Sequence, residues 1–289
     1  EANPTSVEAK KFADFSSAGV NRVSLGIQAL NDADLKALGR EHSVHDALDA
    51  IELSQKYFKR SNFDLIYARM GQTVSAWQSE LEQALKMANG HLSLYQLTIE
   101  AGTPFYGQWR NGDLSIPNED ISAEMYELTN DICGNAGYPI YEISNYAQTD
   151  EQSRHNLTYW KYDDYIGIGA GAHGRITREG KTYATMQNKK PETWLKAVKM
   201  NGHATKVMDP LDTKMMAEEM IMMGLRLSDG IDHDDFKNRI GLSLDEFIEV
   251  EALDLLKSQG FVSTSSLDRL QLTEKGRPLL NQILGQILA

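Results

Sequence analysis

The stretch with the densest chemistry in the chain lies at residues 142–174, EISNYAQTDEQSRHNLTYWKYDDYIGIGAGAHG. A histidine-asparagine pair, His155 and Asn156, precedes Tyr159 and Trp160, and further tyrosines and alternating glycines follow. Aromatic side chains beside an imidazole suit a flat, partly apolar ligand with a charged or metal-containing part. Glycines let the backbone turn tightly and approach other atoms. The stretch predicts either a ligand loop of this kind or a structural loop whose tyrosines fill the core.

A second set of polar side chains is predicted at the carboxyl ends of strands. It comprises Glu1, Gln28, Asp64 and Thr98, with Arg40 just beyond the strand that ends at Gln28. Ligands of α/β proteins meet the loops at this rim of the sheet. An arginine fork binds a carboxylate, and carboxylates accept hydrogen bonds from ammonium and hydroxyl groups. The set therefore predicts a site for an amino acid and a ribose, and the alternative is a salt-bridge network that closes the barrel top.

The elements that must position these residues alternate in type along the first half of the chain. Short apolar segments at 21–28, 62–67 and 91–98 predict strands, and segments at 43–58 and 74–88 predict helices. This alternation is typical of β-α-β units around a parallel sheet, so the fold class is α/β.

Further elements are predicted from local signals. Thr5 and Glu8 form a capping-box pattern that predicts a helix from there to about Gly19. The remaining predictions for this half are a loop at 104–117, a helix at 119–137 and a strand at 138–143.

Beyond Pro210 the pattern changes to helices, a short hairpin and a closing helix, an order typical of a winged-helix module. The chain carries a net charge of −12, from 29 basic and 41 acidic residues, so it lacks the basic field that nucleic acids require. We therefore predict no nucleic-acid partner. The elements predicted here are helices at 211–227, 232–240 and 243–259, a hairpin at 261–263 and 269–272, and a helix from Glu274.

Length and composition indicate the number of domains and exclude some classes of protein. A chain of 289 residues predicts two domains, and no apolar run is long enough to span a membrane. The N-terminal segment has no signal-peptide core, which predicts a cytoplasmic location. Cys133 is the only cysteine of the sequence and lies in a helix-like run, so we expect a buried thiol rather than a disulfide or thiolate cluster.

Four segments carry a resemblance to a known family: GVNRVSLGIQALNDADLKALGREH, FDLIYARMGQT, YEISNYA and HNLTYWKYDDYIGIGAGAHG. Over nearly its whole length the chain resembles radical S-adenosylmethionine (radical-SAM) proteins related to oxygen-independent coproporphyrinogen III oxidase. HNLTYW narrows the resemblance to the haem-chaperone branch, HemW, because true oxidases carry a different sequence there. The resemblance implies the C-terminal portion of a partial (β/α) radical-SAM barrel with a haem-site loop at 1–175, a connecting segment at 176–209, and a small winged-helix-like α+β domain at 210–289.

The resemblance also implies roles for individual residues. His155 matches the histidine proposed to hold haem and is a possible ligand of the haem iron, with Tyr159 and Trp160 placed to stack on the macrocycle. The residues that match contacts to S-adenosylmethionine are Glu1, Gln28, Arg40 and Asp64, with Thr98 and His173 at further rim positions.

Two departures from the family pattern qualify these expectations. The CxxxCxxC loop that binds the family's [4Fe–4S] cluster belongs upstream of Glu1, so its cysteines are expected outside this chain, and this chain alone is expected to be inactive in radical chemistry. Ala68, Arg69 and Met70 stand where relatives usually have Gly-Leu-Pro, so the turn after the second strand is expected to differ.

Three functions follow from these observations. The first is a haem chaperone that binds haem and S-adenosylmethionine and delivers haem to respiratory proteins, with peripheral association with membrane proteins. The second is a porphyrin-pathway enzyme that oxidatively decarboxylates coproporphyrinogen III. The third is a non-catalytic scaffold in which the acidic segment 229–254 meets a basic protein partner. The alternative for this segment, which charge runs favour, is a solvated helix surface.

Overall fold

The computed structural model of the chain describes residues 1–264 and 268–288. These residues divide into two compact units, Glu1–Gln152 and Ser153–Ala289. The domain limits predicted at residues 175 and 209 stay predictions.

The first unit contains a sheet made of β1 (Arg22–Gln28), β2 (Arg60–Tyr67), β3 (His91–Gln96), β4 (Ile140–Glu142) and β5 (Asn145–Ala147). The strand order is β1–β2–β3–β5–β4. β1 pairs with β2 in parallel, and β2 with β3, which confirms the predicted β-α-β arrangement. β5 runs antiparallel to both β3 and β4. The single strand predicted at 138–143 is therefore one arm of a short hairpin.

The core of this unit lies between helices and one face of the sheet. On β1 the buried side chains of Val23, Leu25 and Ile27 alternate with less buried ones, which assigns one face to the core and leaves the opposite face to polar residues. We call that opposite face the inner face. The helices of the unit are α1 (Ala9–Ser17), α2 (Asp32–Ala37), α3 (Val44–Tyr57), α4 (Val74–Met87), α5 (Pro104–Asn111) and α6 (Glu119–Asn135).

Two local predictions for this unit are wrong. Thr5 does not cap α1, because it lies in a 3-10 turn, Pro4–Ser6, where the hydroxyl of Ser6 donates to the Asn3 carbonyl at 2.8 Å. Residues 104–117 are not all loop, because α5 occupies the first part. Thr103 caps α5 by accepting from the N–H of Tyr106 at 3.2 Å, and a left-handed glycine, Gly112, ends it.

The second unit begins with α7 (Arg154–Trp160) and an antiparallel sheet of order β6–β7–β8. β8 follows α8 and was not predicted from the sequence. The elements are β6 (His173–Arg178), β7 (Lys181–Gln187), α8 (Pro191–Asn201) and β8 (Thr205–Pro210).

The rest of the second unit combines helices with a small sheet of order β10–β11–β9. Residues 265–267, between β10 and β11, lie outside the described residues, and the winged-helix description of this part stays a prediction. The elements are α9 (Thr213–Gly224), β9 (Ile231–Asp232), α10 (His233–Ile240), α11 (Val250–Ser258), β10 (Val262–Thr264), β11 (Arg269–Leu272) and α12 (Leu280–Ile287).

Two helix predictions in this part fail for identifiable reasons. The N–H of Ser243 donates to the Glu246 carboxylate at 3.0 Å as the capping box requires, but Phe247 then leaves the helix and its ring packs on that of Phe236, at 6.0 Å between centroids. The helix predicted at 243–259 is therefore a short 3-10 turn followed by α11. The last helix starts at Leu280 rather than Glu274, after a 3-10 turn that contains Pro278.

Among the described residues, none of the helices combines the length and the apolar character that a bilayer span requires.

Candidate functional site

Polar side chains of neighbouring strands meet on the inner face of the first sheet. The hydroxyl of Ser24 on β1 donates to Asp64 Oδ1 on β2 at 3.0 Å, and the Asn62 amide donates to the Ser24 oxygen at 2.5 Å. Ser93 on β3 lies beside Asp64 in register. Serine, asparagine and aspartate thus form a row across three strands, on the face of the sheet opposite the hydrophobic core.

The environment of Asp64 favours its protonated form. Burial raises the pKa of this carboxyl to about 6, hydrogen bonds from Ser24 and Ser93 oppose the rise, and the charge of Glu1 adds to it. A carboxyl of this kind accepts hydrogen bonds from a ligand and gains a full charge when a cation sits beside it.

Backbone pairing brings Glu1 to this row. The N–H of Ala2 donates to the Ser24 carbonyl at 2.8 Å, and the N–H of Gly26 donates to the Ala2 carbonyl at 3.0 Å. The residue before Ala2 therefore lies alongside β1. The charge of Glu1 acts on Asp64, so the two carboxyl groups lie near each other, and their sharing of one ligand site stays a prediction.

Gln28 ends β1 in the left-handed region, with φ +74°. Its side chain turns back along the strand, and its Nε2 lies 2.9 Å from the position that a Cβ on Gly26 would occupy. The side-chain oxygen of Asn3 lies 3.2 Å from the same position. Gly26 therefore leaves space that the amide of Gln28 needs.

Arg40 and Thr98 approach the same end of the sheet from loops. The segment after Arg40 returns to β1, because His42 Nε2 donates to the Ile27 carbonyl at 2.9 Å. Among the described residues, the buried Nε of Arg40 has no hydrogen-bond partner. Thr98 is exposed two residues beyond β3, where the N–H of Leu97 donates to the carbonyl of Tyr67 at 2.9 Å.

The predicted placement of these residues needs one correction. Asp64 does not lie at a strand exit but inside β2, because that strand continues to Tyr67. Its side chain takes the inner-face position that the period of two assigns to it. The site implied by these residues is therefore the inner face together with the strand ends, rather than the rim alone.

The turn after β2 holds a buried ion cluster. Arg69 is 3% exposed in its side chain and reaches Glu80 at 2.6 Å and Asp34 at 2.8 Å, and it also donates to the Ile66 carbonyl at 2.6 Å. Arg69, Glu80 and Asp34 line a cleft of about 280 Å³. Ala68, just before, adopts φ +55°, a conformation that favours glycine.

The second unit presents His155 on α7. Its side chain is exposed, and its Nε2 lies 3.1 Å from the hydroxyl oxygen of Tyr159, one helical turn along. The two rings meet edge to face, 4.8 Å between centroids, and Tyr159 meets Tyr165 in the same way at 4.6 Å. The predicted grouping of an imidazole with aromatic rings is therefore present.

The glycine-rich loop after Tyr165 exposes two isoleucines. Ile166 is 72% and Ile168 83% exposed, whereas Gly167 between them is buried. A Cβ at Gly167 would lie 2.3 Å from the carbonyl oxygen of His173, so the loop can lie against β6 only with glycine there. His173, predicted to contact S-adenosylmethionine, is the exposed first residue of β6 in this unit, and its role stays a prediction.

Side chains of α9 and the segment behind it fix the end of α7. The guanidinium of Arg226 lies 4.3 Å from the Trp160 ring centroid, so one face of the ring is covered. Glu219 accepts from the Tyr162 hydroxyl at 2.6 Å and from Arg175 Nε at 2.9 Å. Arg226 thus holds Trp160 at the end of α7, and the predicted stacking of Trp160 on a macrocycle stays a prediction.

The ionisation of this cluster follows from its contacts. Burial opposes ionisation of Glu219, but hydrogen bonds from Arg175 and Tyr162 outweigh it and lower the pKa of the carboxyl. Burial and the neighbouring carboxylate raise the pKa of Tyr162. The cluster therefore holds a carboxylate, a guanidinium and a neutral phenol at neutral pH.

Sequence reasoning missed several of these residues. A signal for Ser24 and Ser93 was present, because the alternation of polar and apolar residues in RVSLGIQ and HLSLYQ predicts that both serines lie on the polar face of the sheet. Glu219 and Arg226 had no local signal, since they are distant in sequence from the residues that they contact.

Cys133 is buried in α6, and burial raises the pKa of its thiol to about 12. Among residues 1–264 and 268–288, no group of three or more histidine, cysteine, aspartate or glutamate side chains is placed to hold a metal ion. One buried thiol does not fit a [4Fe–4S] cluster, which needs several thiolates.

Comparisons with known proteins place these features in context. Residues 1–84 match the radical SAM superfamily, and residues 211–279 match the HemN C-terminal domain. The chain is 40% identical over 238 residues to the mitochondrial radical S-adenosyl methionine domain-containing protein 1 of Danio rerio, across 81% of this chain and 54% of that protein. It therefore spans about half the length of that relative.

The similarity to a bacterial relative covers more of both chains. The chain is 35% identical over 291 residues to the heme chaperone HemW of Escherichia coli strain K12, across 100% of this chain and 74% of that protein. Among solved structures, coproporphyrinogen III oxidase (HemN) from Escherichia coli, a radical SAM enzyme, superposes with a TM-score of 0.75 at 20% identity, across 98% of this chain and 68% of that one. This match confirms the predicted α/β radical-SAM fold class.

Proposed function

The chain belongs to the radical-SAM family of HemW heme chaperones and their mitochondrial relatives, and from that premise we propose that it binds haem through His155 and S-adenosylmethionine on the inner face of its first sheet. Its role is to carry haem and to deliver it to haem-requiring respiratory proteins. Contact with those acceptors makes it a peripheral partner of membrane proteins.

The placement of His155 carries the haem proposal. A neutral imidazole is an ordinary axial ligand of haem iron, and a ligand must be reachable by the macrocycle. His155 is exposed, and the loop that follows Tyr165 exposes Ile166 and Ile168. An apolar ligand that covers these two side chains removes their surface from water, which is favourable. The described residues therefore fit haem as a cargo, with His155 supplying the nitrogen ligand.

An exposed site also suits delivery. A haem held at the surface by one protein ligand can be approached by an acceptor that offers a second ligand. A deeply enclosed site would require the protein to open first. The exposure of His155 thus supports transfer rather than permanent retention.

The inner face fits S-adenosylmethionine. Glu1 and Asp64 supply carboxylates for an ammonium or ribose hydroxyls, Gln28 supplies an amide, and the unpartnered Nε of Arg40 suits a carboxylate. Thr98 at the end of β3 would add a hydroxyl. In the family's chemistry the cofactor supplies a radical when a reduced cluster cleaves it, but Cys133 is no cluster ligand, and we assign no such step to this chain. For the same reason no step of coproporphyrinogen oxidation is assigned to it.

A haem titration of the purified chain tests the proposal. Ferric haem is added to the wild type, to His155→Ala and to His203→Ala, which removes an exposed histidine elsewhere in the same unit. We expect a Soret band of ligated haem in the wild type and in His203→Ala, and its loss in His155→Ala. An unchanged band in His155→Ala would remove His155 from the role.

A further inference from the structure

The nitrogen that His155 would offer to haem iron already has a neighbour. His155 Nε2 and the Tyr159 hydroxyl oxygen are 3.1 Å apart, within hydrogen-bonding distance. The residues are four positions apart on α7, so both side chains lie on the same face of the helix.

Neighbouring rings restrict where the Tyr159 hydroxyl can go. The Tyr159 ring meets the imidazole at an interplanar angle of 87° and the ring of Tyr165 at 85°. Such edge-to-face contacts stabilise one orientation of an aromatic side chain. The hydroxyl is therefore held at the imidazole edge rather than swinging freely in water.

The direction of this hydrogen bond depends on the imidazole tautomer. When the ring proton lies on Nδ1, the Tyr159 O–H donates to the lone pair of Nε2. Iron uses the same lone pair of Nε2 that accepts this hydrogen bond. One lone pair cannot serve both partners.

We propose that the Tyr159 hydroxyl competes with haem iron for His155 Nε2, so that Tyr159 sets how tightly the protein holds haem and how fast it releases it. The inference rests on the proposed function, in which His155 is the haem ligand. Binding must break the tyrosine hydrogen bond, and release re-forms it. Re-forming the bond offsets part of the lost iron–nitrogen interaction, which favours hand-over to an acceptor.

Removing only the hydroxyl tests the proposal. The purified chain is compared as wild type, Tyr159→Phe and Tyr165→Phe, with ferric haem added for affinity and apomyoglobin added for the release rate. The control removes a hydroxyl from the next ring in the row, which does not bond to His155 in this structure. Because a hydrogen bond contributes a modest net free energy, we expect Tyr159→Phe to bind haem about 2- to 10-fold more tightly and to release it correspondingly more slowly. Tyr165→Phe should stay within about twofold of the wild type.

A second measurement needs no variant. In the haem-free wild type, ¹⁵N shifts of the His155 ring should show Nδ1 protonated and Nε2 as the acceptor. The opposite tautomer, or a Tyr159→Phe variant that binds haem no more tightly than the wild type, would overturn the proposal.

The two proposals fail separately. Haem binding that survives His155→Ala sinks the proposed function itself. Haem binding that is lost in His155→Ala but unchanged in Tyr159→Phe is consistent with the proposed function and contradicts only the proposed competition between Tyr159 and haem iron.

Discussion

Asp64 and His155, the groups proposed to meet the two ligands, lie in regions that hold their polar side chains in opposite ways. Asp64 is enclosed on the inner face of a sheet, accepts hydrogen bonds from neighbouring strands, and has a pKa raised to about 6 by burial. His155 stands exposed on a seven-residue helix with a tyrosine hydroxyl at its Nε2. The first arrangement is typical of a site that retains a small polar cofactor, and the second of a site that takes up and gives away a large apolar one.

The supports of the two regions differ as well. Behind the strand ends of the first unit lies the buried cluster around Arg69. In the second unit α7 is fixed by Glu219 and Arg226, which come from a part of the chain far along the sequence. The comparison therefore predicts that substitutions in the first unit change stability without changing haem binding, whereas substitutions around α7 change haem binding.

The largest effect is expected from Arg69→Met. It leaves Glu80 and Asp34 without their cation, and an uncompensated buried charge costs about 3–5 kcal/mol. Denaturant unfolding should show this loss of stability. Haem affinity should be unchanged when it is measured without denaturant, where the variant is folded. The matched control is Lys11→Met, which breaks an exposed pair with Glu8 and should change stability by less than about 0.5 kcal/mol. Equal effects of the two substitutions would contradict the account.

Asp64→Asn is expected to change how stability depends on pH. The folded-state pKa of about 6 lies above the ordinary value, so the contribution of Asp64 to stability is full below about pH 4 and is lost as the pH rises through 6. The wild type should therefore lose about 2 kcal/mol relative to Asp64→Asn between pH 4 and pH 7. Unfolding curves at both pH values measure this.

Asp46→Asn serves as the opposite control for that experiment. The backbone and side chain of Ser43 lower the pKa of this exposed carboxyl, so its contribution is lost as the pH falls rather than as it rises. If the stability of Asp64→Asn and of the wild type changed in parallel with pH, the inner face would not raise the pKa of Asp64.

Glu219→Gln is expected to weaken both the second unit and the haem binding proposed for it. The substitution removes the charge that Arg175 and Tyr162 share, at a cost of about 1–2 kcal/mol, and it loosens the end of α7. Haem affinity should fall severalfold while S-adenosylmethionine affinity stays. Glu218→Gln, beside it, breaks only an exposed pair with Lys214 and should leave both quantities unchanged. Loss of haem affinity in the control alone would refute the anchoring role.

The smallest effect on stability is expected from Ile168→Ser. The side chain is 83% exposed, so unfolding should change by less than about 0.5 kcal/mol, whereas haem affinity should fall by about 2- to 5-fold if the macrocycle covers it. Met200→Ser, which changes another exposed apolar side chain (71%) on α8, should alter neither stability nor haem affinity. An identical haem titration for all three chains would place the macrocycle elsewhere.

How much of the fold and of the candidate site the sequence predicts depends on how far apart in sequence the interacting residues lie. β1–β3 and the helix that Ser43 caps follow from alternation and capping within a few residues. Glu1, Gln28 and Asp64 were predicted to share a site at strand exits, although the strand predicted at 62–67 already contains Asp64 in its interior. The break at Phe247 and the anchoring of Trp160 by Arg226 depend on tertiary contacts that no local pattern contains.

The most direct test of the central claim is pulsed electron paramagnetic resonance of ferric haem bound to the chain, with histidine labelled with ¹⁵N. The account predicts a coupling from one axial imidazole nitrogen that changes with the label and disappears in His155→Ala. The same labelled coupling in His155→Ala, or no histidine coupling in the wild type, would contradict it.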